Sequence, residues 1–137
     1  MMHNDNDMML MVEDDPAAIQ IALHAFTKSG VDEQRIVVAK NGQKALDFLF
    51  GGAESDNPIP RLILLDLKLP KVNGLDVLKT IREAPTTKDV PVIILTNSDE
   101  EIDVVRGYNL GANSYLKKPV DFIQLVEILE QLGLMPK

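Results

Sequence analysis

Short apolar runs alternate with amphipathic stretches along the whole chain, and each run is followed by turn-forming residues. Compact runs rich in Leu, Ile and Val read as strands, and an i, i+3, i+4, i+7 stripe reads as a helix, so the rhythm predicts an α/β fold. The expected strands are Met8 to Glu13, Arg35 to Lys40, Leu62 to Asp66, Val90 to Thr96 and Ser114 to Lys117. The three central ones are apolar on both faces, as strands of a parallel sheet covered by helices on both sides must be. Ile19, Ala22, Leu23 and Phe26 form the stripe of a first helix, and Phe122, Leu125, Val126 and Leu129 that of a last one.

Helix-end chemistry agrees with this placement. Asp15 followed by Pro16 reads as an N-cap with a first-turn proline, and Gly30 sits where that helix should stop. Asn41 and Asp121 can cap two others. Ser98 with Glu101 three residues on matches a capping box, and Gly111 fits the end of the fourth helix. The stripe of that helix, Ile102, Val105 and Tyr108, is thin, which predicts a partly exposed element held weakly on the sheet. Gly51 to Pro60 reads as a surface loop within one domain. The expectation is an N-terminal tail over residues 1–7 and one domain over 8–137, with no repeat and no low-complexity tract.

Five β-α units joined by right-handed crossovers make a doubly wound five-stranded parallel sheet of flavodoxin-like order 2-1-3-4-5 in a three-layer α/β/α sandwich. Ligands of such folds bind at the carboxyl ends of the strands, so function is sought there.

Composition narrows the field. The 137 residues, 45% of them hydrophobic, fill one core, and no apolar run approaches the roughly 20 residues of a membrane span. Fourteen Lys plus Arg against 21 Asp plus Glu give a net charge of −7, which repels a nucleic-acid backbone. With no cysteine and only His3 and His24, disulfides, thiolate zinc sites and thiol nucleophiles are excluded. The N-terminus lacks the basic flank and apolar core of a signal peptide, so a cytoplasmic location is expected.

The strand ends carry Glu13, Asp14 and Asp15 after the first strand, Asp66 after the third, Thr96 after the fourth, and Lys118 with Pro119 after the fifth. Carboxylates gathered from separate strands repel one another unless a cation neutralises them. Oxygen donors without histidine favour Mg2+, which keeps several waters and shares its coordination with phosphate. A lysine and a hydroxyl converging on the same point add a clamp for phosphoryl oxygens, so the site suits phosphorylation of a carboxylate.

In order along the chain, LMVEDDP, LILLDLKLPKVNG, PVIILTNS and GANSYLKKP resemble the receiver domains of two-component response regulators, and the similarity covers residues 8 to 133. The resemblance implies Asp66 as phosphoacceptor, Asp14 as a direct Mg2+ ligand, Glu13 as its acidic partner through a metal-bound water, and the backbone carbonyl of Lys68 as a further ligand. It also implies Thr96 as the switch hydroxyl that turns toward the phosphate, Lys118 as the family's lysine, Tyr115 as the aromatic that follows Thr96, and a cis Lys118–Pro119 peptide. DLKLPKVNGLDVL and YNLGANSYLKKPVD are most similar to the phytochrome-associated branch, small stand-alone regulators paired with light-sensing histidine kinases. A sensor histidine kinase is thus the implied donor. An unidentified downstream protein or a homodimer is the implied reader, with neither nucleic acid nor membrane as partner.

Taken singly, each residue has a plain structural reading. Acids after Val12 can be a solvated turn and cap, Asp66 a turn residue, Lys-Pro a loop, and Tyr115 packing. Their joint occurrence in order at four strand ends decides for the site. Asn97 stands where the family usually has a small residue. Neither Lys68 nor Ser98 supplies an acid to orient water, so only slow self-hydrolysis is expected and no enzymatic turnover. The chain ends shortly after the expected fifth helix, so no output domain and no DNA-binding role are expected. An aspartate-nucleophile phosphatase of the haloacid dehalogenase type is the alternative, disfavoured because it needs an acid where Lys68 stands. A flavodoxin-like electron carrier would need a Ser/Thr/Gly-rich phosphate loop after the first strand, and a purely structural relative would lack a site residue.

Overall fold

A computed structural model of the protein describes residues 8–51, 58–69, 72–107 and 109–135. The tail 1–7, the middle of the 51–60 loop and Tyr108 lie outside the described residues. The elements follow in strict alternation: β1 (Met9–Val12), α1 (Pro16–Lys28), β2 (Ile36–Ala39), α2 (Gly42–Phe50), β3 (Leu62–Asp66), α3 (Gly74–Glu83), β4 (Val92–Thr96), α4 (Asp99–Gly107), β5 (Ser114–Lys117) and α5 (Phe122–Gln131). The strands form one parallel sheet in the order β2-β1-β3-β4-β5.

Apolar residues on both faces of a strand demand cover on both sides, and the core accordingly forms two layers. Met9, Met11, Leu62, Leu64, Ile93, Leu95 and Leu116 pack with Ile19, Ala22 and Phe26 of α1 and Leu125, Ile128 and Leu129 of α5. The alternate residues, among them Leu10, Val12, Ile63, Leu65, Val92 and Ile94, pack with Ala45 of α2 and Val77, Leu78 and Ile81 of α3. Strands β1, β3 and β4 are buried throughout, whereas the edge strands β2 and β5 are only partly so.

The caps act as expected at Asp15, Asn41 and Asp121, whose side chains accept the N–H of Ala17, Lys44 and Gln124. The expected bounds change at four elements. β1 is one residue shorter at each end and spans Met9–Val12. Arg35 belongs to a short 3-10 turn (Glu33–Arg35) capped by Asp32, so β2 starts one residue later. β4 starts at Val92, after Pro91, which has no N–H to give a ladder. Helix α4 stops at Gly107 rather than at Gly111. Gly111, at φ 90°, turns the chain into β5, a conformation that glycine adopts without the clash a Cβ would bring.

Candidate functional site

The register brings the strand ends level. Val12 pairs with Leu65 and Ala39, Asp66 with Leu95, and Thr96 with Lys117. Residues at or just past the ends of β1, β3 and β5 therefore meet at one end of the sheet.

Glu13, directly after β1, is fully buried (0% exposed). Its Oε2 accepts the backbone N–H groups of Asp14 and Asp15 at 3.0 and 3.1 Å, which folds the carboxylate back over its own turn. Its Oε1 lies 2.7 Å from Lys118 Nζ in a buried ion pair. Asp66, the last residue of β3, is held at both oxygens: Oδ1 accepts the Lys68 N–H at 3.0 Å and Oδ2 accepts from Lys118 Nζ at 2.9 Å. Lys118 is placed by its own N–H, which donates to the Thr96 carbonyl at 2.7 Å, and its peptide bond to Pro119 is cis.

Burial and charge act against each other here. Desolvation pushes the Glu13 carboxyl above its ordinary range, and neighbouring Asp66 adds to this against the pull of Lys118. Burial alone would lower the Lys118 ammonium, but Glu13 and Asp66 outweigh it and hold its pKa above the usual lysine value. One ammonium against the three carboxylates of Glu13, Asp14 and Asp66 leaves a surplus of two negative charges. Those three acids can present one oxygen each within 4.8 Å of one another. A hard divalent cation fits this site, whose donors are all oxygen and whose charge surplus it would neutralise.

Thr96 ends β4, buried, but its hydroxyl does not bond to Asp66. It donates to the Glu101 carboxylate on the first turn of α4, and the Thr96 Oγ1 accepts the Ser98 N–H at 3.2 Å. The expected capping box is therefore only half formed. Ser98 Oγ accepts the N–H groups of Glu100 and Glu101 at 3.1 and 3.4 Å, while the Glu101 side chain turns to Thr96 instead of back to the Ser98 N–H. Tyr115 lies opposite Ile94 on β5 and packs, partly buried, on the sheet face that Ile94 shares with α3.

Two residues that the pattern of the chain did not assign to the site also shape it. Gly74 opens α3, and a Cβ there would lie 2.5 Å from the Asp66 carbonyl oxygen and 2.6 Å from Leu67 Cα. Only glycine lets the helix begin against the end of β3, where the Gly74 N–H reaches the Leu67 carbonyl at 3.2 Å. Glu101 reads from sequence as a capping residue, and nothing in its spacing shows that Thr96 is within reach.

Residues 9–130 match the response regulator receiver domain family. The chain belongs to that family. Its relatives include the response regulator Rcp1 of Synechocystis sp., 36% identical over 135 residues that cover 96% of this chain and 91% of Rcp1. Among solved structures, the bacteriophytochrome response regulator RtBRR superposes with a TM-score of 0.86 at 40% identity, covering 96% of this chain and 80% of that one. The phosphorylated cyanobacterial phytochrome response regulator RcpA gives 0.75 at 34% identity, covering 93% and 91%. This receiver domain is thus similar to phytochrome response regulators, and its role is that of a phosphorylation switch. None of these relationships supports the phosphatase alternative. Receiver domains are phosphoacceptors that bind a divalent cation at an acidic pocket, and Rcp1 has been solved in a Mn2+-bound form. Among the described residues no helix is long and apolar enough to cross a membrane.

Proposed function

We propose that the protein is a single-domain cytoplasmic response regulator that takes a phosphoryl group from a histidine kinase of the phytochrome type onto Asp66. The observation that carries this reading is the Lys118 ammonium held between Asp66 and Glu13 at the end of β3. The Asp66 carboxylate attacks phosphorus, the phosphohistidine N–P bond breaks, and an acyl phosphate forms as the imidazole leaves. Two donors on Asp66 orient it before attack, and Lys118, already on Oδ2, is placed to pair with an incoming phosphoryl oxygen. Glu13, Asp14, Asp66 and the Lys68 carbonyl would hold Mg2+, which when bound supplies charge neutralisation for the phosphoryl oxygens. Thr96 then donates to the phosphate, Tyr115 repacks behind it, and α4, β5 and α5 form the face read by a protein partner or a second copy of the chain. The exposed Lys68 and half-buried Ser98 carry no acid to direct water, so the phosphoprotein decays slowly.

Incubation with Mg2+ and acetyl phosphate, followed by intact mass, tests the reading. A hydroxylamine-labile gain of one phosphoryl group is expected in the native protein and none in Asp66→Asn. Full labelling of that variant would move the acceptor to another acid, and loss of the label within seconds of donor removal would refute slow decay.

A further inference from the structure

The hydroxyl of Thr96 is tied to α4 twice, as donor to the Glu101 carboxylate and as acceptor from the Ser98 N–H. A threonine hydroxyl has one hydrogen. Bonding to Glu101 and bonding to a phosphoryl oxygen on Asp66 therefore exclude each other. Glu101 stands on the first turn of α4, so the competition links the phosphate directly to the position of that helix.

We propose that Glu101 is a latch that holds Thr96 away from Asp66 in the unphosphorylated protein, so that phosphorylation must release Glu101 to complete the switch. This rests on Asp66 being the phosphoacceptor and Thr96 its responding hydroxyl. Glu101 is a positioning residue: it acts through Thr96 and touches no reacting atom. Its release is favourable to accommodate, because Glu101 lines an open cleft of about 510 Å3 between the β3–α3 connection and α4, together with Leu67, Lys68, Asn73 and Val104. The freed carboxylate would enter that open cleft rather than a dry interior, where it would stand desolvated and unpaired. Breaking both bonds to Thr96 also loosens the Ser98 turn whose hydroxyl caps α4. The latch thus sets the off state and passes the change to the helix.

The test is a cycle on the full chain with saturating Mg2+, titrating beryllofluoride as the phosphoryl mimic and reading its midpoint by calorimetry. Glu101→Ala and Glu101→Asp, the second keeping the charge but one methylene too short to reach, should tighten the midpoint roughly three- to tenfold, the net share of one hydrogen bond. Glu101→Gln keeps an acceptor of the same reach and should stay near the native value. In a Thr96→Ala background all three substitutions should leave the midpoint where Thr96→Ala alone puts it. Equal tightening in both backgrounds would make Glu101 a mere source of repulsion for the anion and overturn the latch, as would no tightening in Glu101→Asp. Should Glu101→Ala fail to fold, the Asp and Gln variants decide alone. A native protein that ignores beryllofluoride, or an Asp66→Asn variant that binds it as well, would instead overturn the phosphoacceptor reading on which the latch depends.

Discussion

Helices α3 and α4 follow the two strands that end in Asp66 and Thr96, and they flank the same site, yet they are held in different ways. Helix α3 buries Gly74, Val77, Leu78 and Ile81 and starts in van der Waals contact with the end of β3. Its Arg82 then donates from Nε to the Gly111 carbonyl at 2.8 Å, from Nη1 to Lys88 and Val90 carbonyls at 3.0 and 2.8 Å, and from Nη2 to Asn113 Oδ1 at 2.8 Å. Over residues 99–104, the side chains described in α4, none is buried, and Val104 is 47% exposed. Polar contacts fix its first turn: Ser98, the Thr96–Glu101 bond and an exposed Lys117–Asp99 ion pair at 3.2 Å. Apolar burial is non-directional and is lost in proportion to the area a moving helix would expose, while a hydrogen bond can be exchanged for another at small net cost. The phosphoacceptor proposed at Asp66 needs a bank that stays in place and the proposed switch at Thr96 needs one that moves, and the two modes of attachment suit that division. Arg82 joins them, since it grips the connection that carries the chain from α4 into β5.

The contrast is broken or sharpened most strongly in the core. Ile81→Ala should destabilise the protein by about 3–4 kcal/mol in urea unfolding, because it opens a cavity at a position with no exposure. Val104→Ala should change stability by less than about 0.5 kcal/mol. Comparable losses at both positions would remove the distinction. Next, Arg82→Ala should cost about 2–3 kcal/mol, since it strands backbone carbonyls that a guanidinium fork now satisfies, and Arg82→Lys should recover less than half of it. An effect confined to the α3–β4 turn, with amide exchange at Gly111 and Asn113 unaltered, would show that Arg82 does not bind the two regions together.

The smallest effect concerns the fixed bank and pH. Burial raises the Glu13 carboxyl above its ordinary value of 4.5, so in the metal-free protein the folded state holds that proton more tightly than the unfolded one. Stability from this group is accordingly greatest below the ordinary value and falls as pH rises through the raised one, the reverse of a salt-bridged carboxylate. Unfolding of native and Glu13→Gln proteins without divalent ions should show their difference shifting against the native protein as pH rises from 4.5 and then levelling off. Mg2+ should restore more stability at the upper end of that window, where Glu13 is ionised. A difference independent of pH would mean that Glu13 folds fully charged.

Local chemistry determined much of this protein before any tertiary contact. The period of the apolar residues defined five strands and their helices, Asp15, Asn41 and Asp121 announced their caps, and the acids, Thr96 and Lys118 stood at strand ends where a parallel sheet would gather them. These signals lie within a few residues of the features they specify, so a chain read in order displays them. The destination of a side chain that chooses between partners is different. Glu101 has the spacing of a capping-box residue, yet the fold presents the Thr96 hydroxyl within its reach and the carboxylate goes there. Gly74 matters because α3 begins against Asp66, and Arg82 because two separate segments, 87–90 and 111–113, converge on one guanidinium. Such choices depend on distances between segments far apart in sequence, and only the packed sheet and its helical layers set those distances.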